Sequence, residues 1–513
     1  MGCLPGDVNE DGLMDLVVYY WGRTPIAYLQ IPGSSLSGRS FYAQPLVNGD
    51  QRWFTNAMVF ADVNGDGHPD LLVGNYFRDG ADILDAAAPR TQQLQHSMSR
   101  ATNAGKSRLL LWKSASTGAV PHVTYDDASG ALPAAVAHGW TLAIGAFDLD
   151  GDLLPELYFA NDFGSDRLLW NRSANGRVRF ETLEGKRTLT TPASKVLGHD
   201  SFKGMGVDFG DIDGDGIADI VVSNITEEFA LQESNFAFLG TGSFDQMRSG
   251  SAPFVERSER LGLARSGWGW DIKIADMNNS GKPVILQATG FVRGEVNRWP
   301  ELQELAMGND QLLSRPDAWP NFDAGADLSG NSRNRFFVRS VNGKYVDIAS
   351  EIGFAEKTVS RGIALGDVDG DGDLDAVIAN QWGPSSFYRN DCPRCGAWLG
   401  LNLVLPTDSR PAGDTRIMAG LIAPTYPTRP AIGSVVTIKP DDRRRISAQV
   451  DGGNGHSGKR SPQLLFGLGR TRSTRIVAEV RWRDSNGTLN ADTLRLTPGW
   501  HTIVLQRARN ASR

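Results

Sequence analysis

Five nine-residue stretches carry oxygen-bearing side chains at positions 1, 3, 5 and 9: Asp7, Asn9, Asp11 and Asp15; Asp62, Asn64, Asp66 and Asp70; Asp148, Asp150, Asp152 and Glu156; Asp211, Asp213, Asp215 and Asp219; Asp367, Asp369, Asp371 and Asp375. In a chain wrapped into a tight loop, carboxylates at this spacing converge on one centre. A glycine at position 6 permits the turn, and position 7 offers its main-chain carbonyl. The seventh residues are Leu13, His68, Leu154, Ile217 and Asp373. Hard oxygen ligands in this number suit Ca²⁺ rather than zinc or copper, so about five structural calcium sites are expected. One such loop alone is as well read as a solvated turn. Five in matching contexts are not, because each acidic cluster, left unbalanced, repels itself and destabilises the fold.

Two loops need separate reading. The Asp148 loop has Leu153 in place of the turn glycine and Glu156 at its last position, where a bidentate carboxylate still closes a site. A sixth copy around Asp276 has Ser280 at position 5 and Val284 at position 9. It keeps one carboxylate and is expected to hold no ion. An EF-hand needs a bidentate Glu at position 12. Those positions here are Val18, Val73, Phe159, Val222 and Ile378, all inside β-branched or aromatic runs. The loops therefore join strands, not helices.

The elements that must hold these loops follow from their repetition. Each lies between two strand-like runs, and the first aspartates are spaced by 55, 86, 63, 65 and 91 residues. The two long gaps contain residues 82–106 and 297–314, which read as helix-prone insertions. Without them the unit is about 60 residues, enough for four short strands and their turns. Later strands of the units are visible as RLLLWKS, RLLWNRS, FAFLGTG and FFVRSVNGKYVDI. A four-stranded unit repeated radially is a β-propeller; a linear solenoid has shorter, more uniform repeats. The expected fold is all-β: a propeller of six or seven blades over residues 1–391, seven favoured, and a small β-domain over residues 392–513.

Composition bounds the rest. The chain has 513 residues, 40% hydrophobic and 22% charged, an ordinary globular balance. No run of 18 apolar residues predicts a transmembrane helix. The net charge of −7 is split. Residues 392–513 hold 19 Lys/Arg against 8 Asp/Glu, a net of +11, so the first 391 residues carry −18. An acidic chain argues against nucleic acid as partner, and the Arg443–Arg445 run is better matched to an acidic glycan or to the propeller itself. Three cysteines make no disulfide framework, and Cys392–Cys395 reads as a short disulfide or two free thiols at the domain junction. No signal peptide is visible, and the chain is inside a loop by Asp7, so the natural frame is expected to begin upstream.

The chain's near-matches to enzyme motifs are incomplete. Gly453–Lys459 reads GNGHSGK, but Arg460 follows where a phosphate-binding loop needs Ser or Thr, and Lys459 breaks a G-x-S-x-G around Ser457. The expected reading is a β-hairpin loop. Seven histidines show no metal spacing, and His199-Asp200 reads as a surface turn. No catalytic residue is assigned.

The acidic loops with their flanking strands resemble the FG-GAP or VCBS repeats of integrin-α-type propellers. WLGLNLVL at 398–405, AIGSVVTI at 431–438, DGGNGHSGKRSPQLLFGLG at 451–469 and VAEVRWRDSNG at 477–487 resemble the ASPIC/UnbV domain that follows such propellers in the cartilage acidic protein 1 family. Trp482-Arg483-Asp484-Ser485 departs from the Trp-Pro-Ser-Gly common there. The resemblance implies a secreted or cell-surface, calcium-binding, non-enzymatic scaffold for a protein or glycan partner. The alternative it leaves is an enzyme or accessory protein of an enediyne- or polyketide-type biosynthetic cluster.

Overall fold

Short β-branched and aromatic runs punctuated by Gly and Asp give short antiparallel strands, and the first 391 residues of the computed structural model fold into six such sheets. The structure describes residues 1–506 apart from 34–35, 89–91, 231–232, 309, 321, 408–412, 442–443 and 472. Blade 1 is Gly2–Gly6, Asp15–Tyr19, Ile26–Gln30 and Phe41–Pro45; blade 2 is Thr55–Ala61, Asp70–Asn75, Arg108–Ser116 and His122–Asp127. Blade 3 is Thr141–Phe147, Glu156–Asn161, Arg167–Asn171 and Phe180–Leu183; blade 4 is Gly206–Gly210, Asp219–Ser223, Phe236–Gly240 and Phe254–Glu256. Blade 5 is Gly269–Ala275, Val284–Thr289, Arg335–Arg339 and Tyr345–Asp347, and blade 6 is Ser360–Gly366, Asp375–Asn380 and Ser386–Tyr388. Within each sheet the strands follow chain order, and the first strands of successive blades pack side by side around an axis. This is a β-propeller, and these six sheets are its blades among the described residues.

Apolar side chains on facing sheets make one small core per blade junction. Leu4, Val17 and Tyr19 of blade 1 meet Met58, Phe60 and Val73 of blade 2. Ile212 and Val221 of blade 4 meet Ile272, Ile274 and Phe337 of blade 5. The first two strands of blades 2, 3 and 5 are buried almost throughout, so their sequences read as continuous apolar runs rather than alternating ones.

The insertions differ from expectation in one case. Residues 297–314 hold helices at Trp299–Met307 and Asp310–Leu313. Residues 82–106 hold no helix among the described residues. The segment lacks an apolar stripe at helical spacing, so its helix-forming residues have no face to bury. Ala101 and Ala104 pack instead against Trp140 and Phe163. Cys392 and Cys395 form a disulfide between the last propeller strand and the following domain.

The C-terminal residues form two sheets face to face. One contains Arg416–Ala419, Gly499–Val504, Ala397–Pro406, Thr428–Pro430 and Leu464–Gly469; the other is Arg444–Gln449, Val435–Asp441, Ile476–Arg483 and Leu489–Leu496. Leu399, Leu401 and Leu403 alternate inward, as period-2 patterning requires, and meet Val436, Ile438, Val480 and Trp482 from the other sheet.

The GNGHSGK segment is not a hairpin loop. The strands before and after it, Arg444–Gln449 and Leu464–Gly469, pair into different sheets. Their connection leaves the sandwich and enters the propeller axis. It reaches the first strand of every blade: Gly453 lies against Leu4, Phe60 N–H donates to Gly452 O (2.8 Å), Gly455 N–H donates to Ile144 O (2.9 Å), Arg460 pairs with Asp208, Lys273 Nζ donates to Asn454 O (2.9 Å), and Ser461 N–H donates to Leu365 O (2.8 Å). Glycines are required here because backbone meets backbone: a Cβ on Gly458 would overlap the Ile363 main chain. The buried charged groups of this plug are paired, as burial demands, whereas Ser457 Oγ has no hydrogen-bond partner among the described residues. Lys459 Nζ donates to Met58 O (3.1 Å) and Gly453 O (2.6 Å), and Asp271 accepts from Ile363 and Gly458 N–H, both at 3.0 Å.

Candidate metal centre: acidic loops under the C-terminal domain

All six loops share one backbone. Positions 4 and 6 both take positive φ: Glu10 and Gly12, Gly65 and Gly67, Gly151 and Leu153, Gly214 and Gly216, Asn279 and Gly281, Gly370 and Gly372. The left-handed turn is thus kept even at Leu153, where φ is 63°, a strained value for a bulky residue. Sequence reasoning assigned the turn to position 6 alone; the enrichment of Gly and Asn at position 4 was the missed signal.

The first carboxylate organises the turn. Asp62 accepts N–H groups from Gly65 (2.8 Å), Asp66 (3.1 Å) and Gly67 (2.9 Å). Asp211 does the same in its loop, Asp367 takes the N–H groups of positions 4 and 6, Asp7 those of positions 5 and 6, and Asp148 that of position 4. The fifth residue caps the seventh: Leu13, His68, Leu154, Ile217 and Asp373 donate N–H to Asp11, Asp66, Asp152, Asp215 and Asp371 at 2.7–3.0 Å. In three loops, carboxylate oxygens lie within 4.8 Å of one another: Asp148 with Asp150 and Asp152, Asp211 with Asp213 and Asp219, and Asp367 with Asp369 and Asp371. In the first two loops Asn9 and Asn64 donate to Asp11 (3.1 Å) and Asp66 (2.8 Å).

Position 9 does more than its sequence reading. In all five loops one oxygen accepts the N–H of position 2 and the other an N–H from the blade's third strand or the residue just beyond it. Asp15 binds Val8 (2.8 Å) and Gln30 (2.7 Å), and Asp70 binds Val63 (3.0 Å) and Trp112 (2.9 Å). Glu156 takes Leu149 (2.8 Å) and Asn171 (3.3 Å), its extra methylene spanning the same gap. Asp219 takes Ile212 and Gly240, and Asp375 takes Val368 and Asn390, at 2.8–2.9 Å. Position 9 therefore clamps loop, second strand and third strand together. Each oxygen retains a second lone pair, except Asp15 Oδ2, which also accepts Asn9 N–H at 3.4 Å.

These carboxyls sit where ionisation is costly. Burial, then the proximity of Asp213 and Asp211, pushes Asp219 up to about 8 against the pull of its two N–H donors. Burial raises Asp15 to about 7 and Asp62 and Asp148 to about 6, and drives Asp7, Asp70 and Glu156 well above the usual range. Among the described residues the buried oxygens Asn9 Oδ1 and Asp150 Oδ1 have no hydrogen-bond partner, and Asp148 Oδ2 has only the Arg481 guanidinium at 3.6 Å. An oxygen-only, anionic donor set with orphaned acceptors fits a hard divalent cation.

The C-terminal domain sits on the loops. Arg429 donates to Gly67 O and pairs with Glu10 at 3.2 Å. Arg481 donates to Gly151 O (2.6 Å), and Arg483 to Leu153 O and Asp152 O, both at 3.1 Å. Gln449 Oε1 accepts Asp148 N–H (2.8 Å), and Trp500 Nε1 donates to Asp367 (3.1 Å). These arginines hold carbonyls of positions 4 to 6 and leave position 7 to the loop, and Arg481 also pairs with the first carboxylate of its loop, Asp148, at 3.6 Å. The Arg443–Arg445 run plays a lesser part. Arg443 lies outside the described residues, Arg444 donates to Leu468 O (3.3 Å) beside the Asp276 loop, and Arg445 pairs with Glu479 in its own domain (3.7 Å).

Profiles of known families match both parts. The FG-GAP-like repeat matches residues 5–73 and 148–222, covering four of the acidic loops, and ASPIC and UnbV matches residues 424–512. The chain carries FG-GAP-like repeats and a C-terminal ASPIC/UnbV domain. No curated protein matches it. Solved structures similar to it include the exotype rhamnogalacturonan lyase YesX (14% identity over 76% of this chain and 72% of that one, TM-score 0.32). A Bacillus licheniformis rhamnogalacturonan lyase is 11% identical over 76% and 71%, with a TM-score of 0.31, and a Trypanosoma rangeli sialidase 10% identical over 99% and 88%, with a TM-score of 0.36. The ASPIC/UnbV profile includes the axial plug, residues 451–461. No helix of the described residues is long and apolar enough to cross a membrane.

Proposed function

We propose that this protein is a calcium-stabilised, non-enzymatic binding scaffold, working outside the cell or at its surface, with a protein or glycan as partner. The observation that carries the calcium reading is the pair of buried acceptors without a hydrogen-bond partner among the described residues, Asn9 Oδ1 and Asp150 Oδ1, at ligand positions of two acidic loops. The bonded Cys392–Cys395 pair fits an oxidising compartment.

Bound calcium supplies charge neutralisation. The first, third, fifth and ninth residues of each loop would hold it, with the carbonyls of Leu13, His68, Leu154, Ile217 and Asp373. The chain's own groups do the rest. The ninth carboxylate ties the loop to two strands of its blade, and Arg429, Arg481 and Arg483 read the ordered loop backbone from the ASPIC/UnbV domain. Five ions would take residues 1–391 from −18 to −8. A ligand that binds only the folded state raises stability by about 2.7 kcal/mol at a hundredfold excess over its dissociation constant. Thermal unfolding in calcium, in magnesium and in chelator tests this. The midpoint is expected to rise in calcium; an identical midpoint in calcium and chelator overturns the reading.

A further inference from the structure

A cleft of about 630 Å³ opens between the ASPIC/UnbV domain and the loop face of blades 3 to 6, a volume within the range of small-molecule sites. Its walls differ in chemistry. One wall is the outward face of the strands Val435–Asp441, Arg444–Gln449 and Ile476–Arg483, which presents Thr437, Arg445, Ser447 and Arg481 at alternating positions, as a pleated sheet must. Ile446 and Ala448, between them, turn to the sandwich core. The Thr437 and Ser447 hydroxyls lie 2.8 Å apart. The facing wall carries the half-buried carboxylates of Asp211, Asp276 and Asp367, and the floor includes half-buried Phe147, stacked on the buried ring of Phe209 at 5.3 Å between centroids.

Donors on one wall, acceptors on the other and an aromatic floor match a ring that is apolar on one face and ringed by hydroxyls at its edge. We propose that this cleft binds a carbohydrate, with its ring face against Phe147 and its hydroxyls between Thr437, Ser447 and Arg445 and the opposing carboxylates. The blade-4 loop adds a second argument. Gly214, Asp215 and Gly216 are exposed, whereas the loops of blades 2 and 3 are held under Arg429, Arg481 and Arg483. A cation at Asp211 has an open side beside the cleft, to which vicinal hydroxyls or a uronate carboxylate can add. This last element rests on the calcium reading above; the cleft itself does not.

The test is calorimetric titration of the full chain, in calcium, with defined neutral hexose oligosaccharides and with uronic-acid oligosaccharides. Ser447→Tyr, which fills the cleft from a half-exposed strand face, and Arg445→Gln serve as variants. Bound calcium and the melting midpoint are measured in parallel. Binding of either sugar class that falls at least about tenfold in Ser447→Tyr, with bound calcium and midpoint unchanged, supports the proposal. Further loss of the uronate series alone in Arg445→Gln identifies the acidic sugars as the source. No binding of either class at millimolar sugar, or equal affinity in wild type and Ser447→Tyr, overturns it. Sugar binding that persists in a protein retaining no calcium upholds the cleft and refutes the scaffold's calcium instead.

Discussion

Acid should loosen the axial plug through one residue, His456. Its ring is buried among Leu142, Trp270 and the plug backbone, and Nδ1–H donates to Leu142 O at 2.8 Å. Asp271 favours the charged ring, while Arg361 and the chain amino group oppose it. Burial dominates and lowers the imidazole from its ordinary 6.5 to about 4. The sign follows from linkage: between pH 6.5 and 4 the unfolded chain binds a proton that the folded one refuses, so stability rises with pH across that window and falls on acidification. At 1.36 kcal/mol per unit, the loss is about 2.5 kcal/mol by pH 4.5 and approaches about 3.4 kcal/mol below pH 4. Raised loop carboxyls such as Asp219 act in the opposite direction, so the wild-type profile alone is uninformative. His456→Gln keeps a donor for Leu142 O and removes the titration. Urea unfolding of both proteins at pH 7.5 and 4.5, in fixed calcium, isolates the His456 contribution as a double difference. A value near 2.5 kcal/mol is expected; parallel pH profiles would refute the account of the plug.

Three further outcomes follow from named contacts. Asp219→Ala leaves the N–H groups of Ile212 and Gly240 without their acceptor and should lower stability in calcium by about 2–4 kcal/mol, read from urea midpoints. Gly458→Ala drives a Cβ into the Ile363 main chain and should displace the plug, exposing the 450–463 connection to proteases while the ASPIC/UnbV sandwich survives; unaltered cleavage contradicts the axial packing. Arg483→Ala loses the donations to Leu153 O and Asp152 O and should cost about 1–3 kcal/mol, whereas Arg445→Ala, exposed and paired with Glu479 at 3.7 Å, should fall within about 0.5 kcal/mol of wild type.

The acidic loops and their strands were legible because the pattern is local: nine residues determine which side chains converge, and the apolar Val18, Val73 and Ile378 downstream exclude a helix. The clamp at position 9 was not, because its second partner comes from a third strand, 15 residues away at Gln30 and 42 at Trp112, and only register brings it near. The plug was illegible for the same reason on a larger scale. His456 meets Leu142 across 314 positions, and nothing within GNGHSGK distinguishes a loop at the surface from one threaded through an axis. Composition misled at 82–106, where alanines that favour a helix are buried by Trp140 and Phe163 instead. The charge split pointed correctly to docking between the halves, but the contacts fall to Arg429, Arg481 and Arg483, single residues on strands, rather than to the conspicuous arginine run.

The most direct test of the central claim is a count of calcium bound per chain, by equilibrium dialysis with the metal quantified after chelator-treated protein is reloaded. Five ions per chain are predicted, four in Asp148→Asn/Asp150→Asn, and still five in Asp276→Asn, because that loop keeps a single carboxylate. A wild-type chain that retains no calcium, or a count that Asp148→Asn/Asp150→Asn leaves unchanged, contradicts the account.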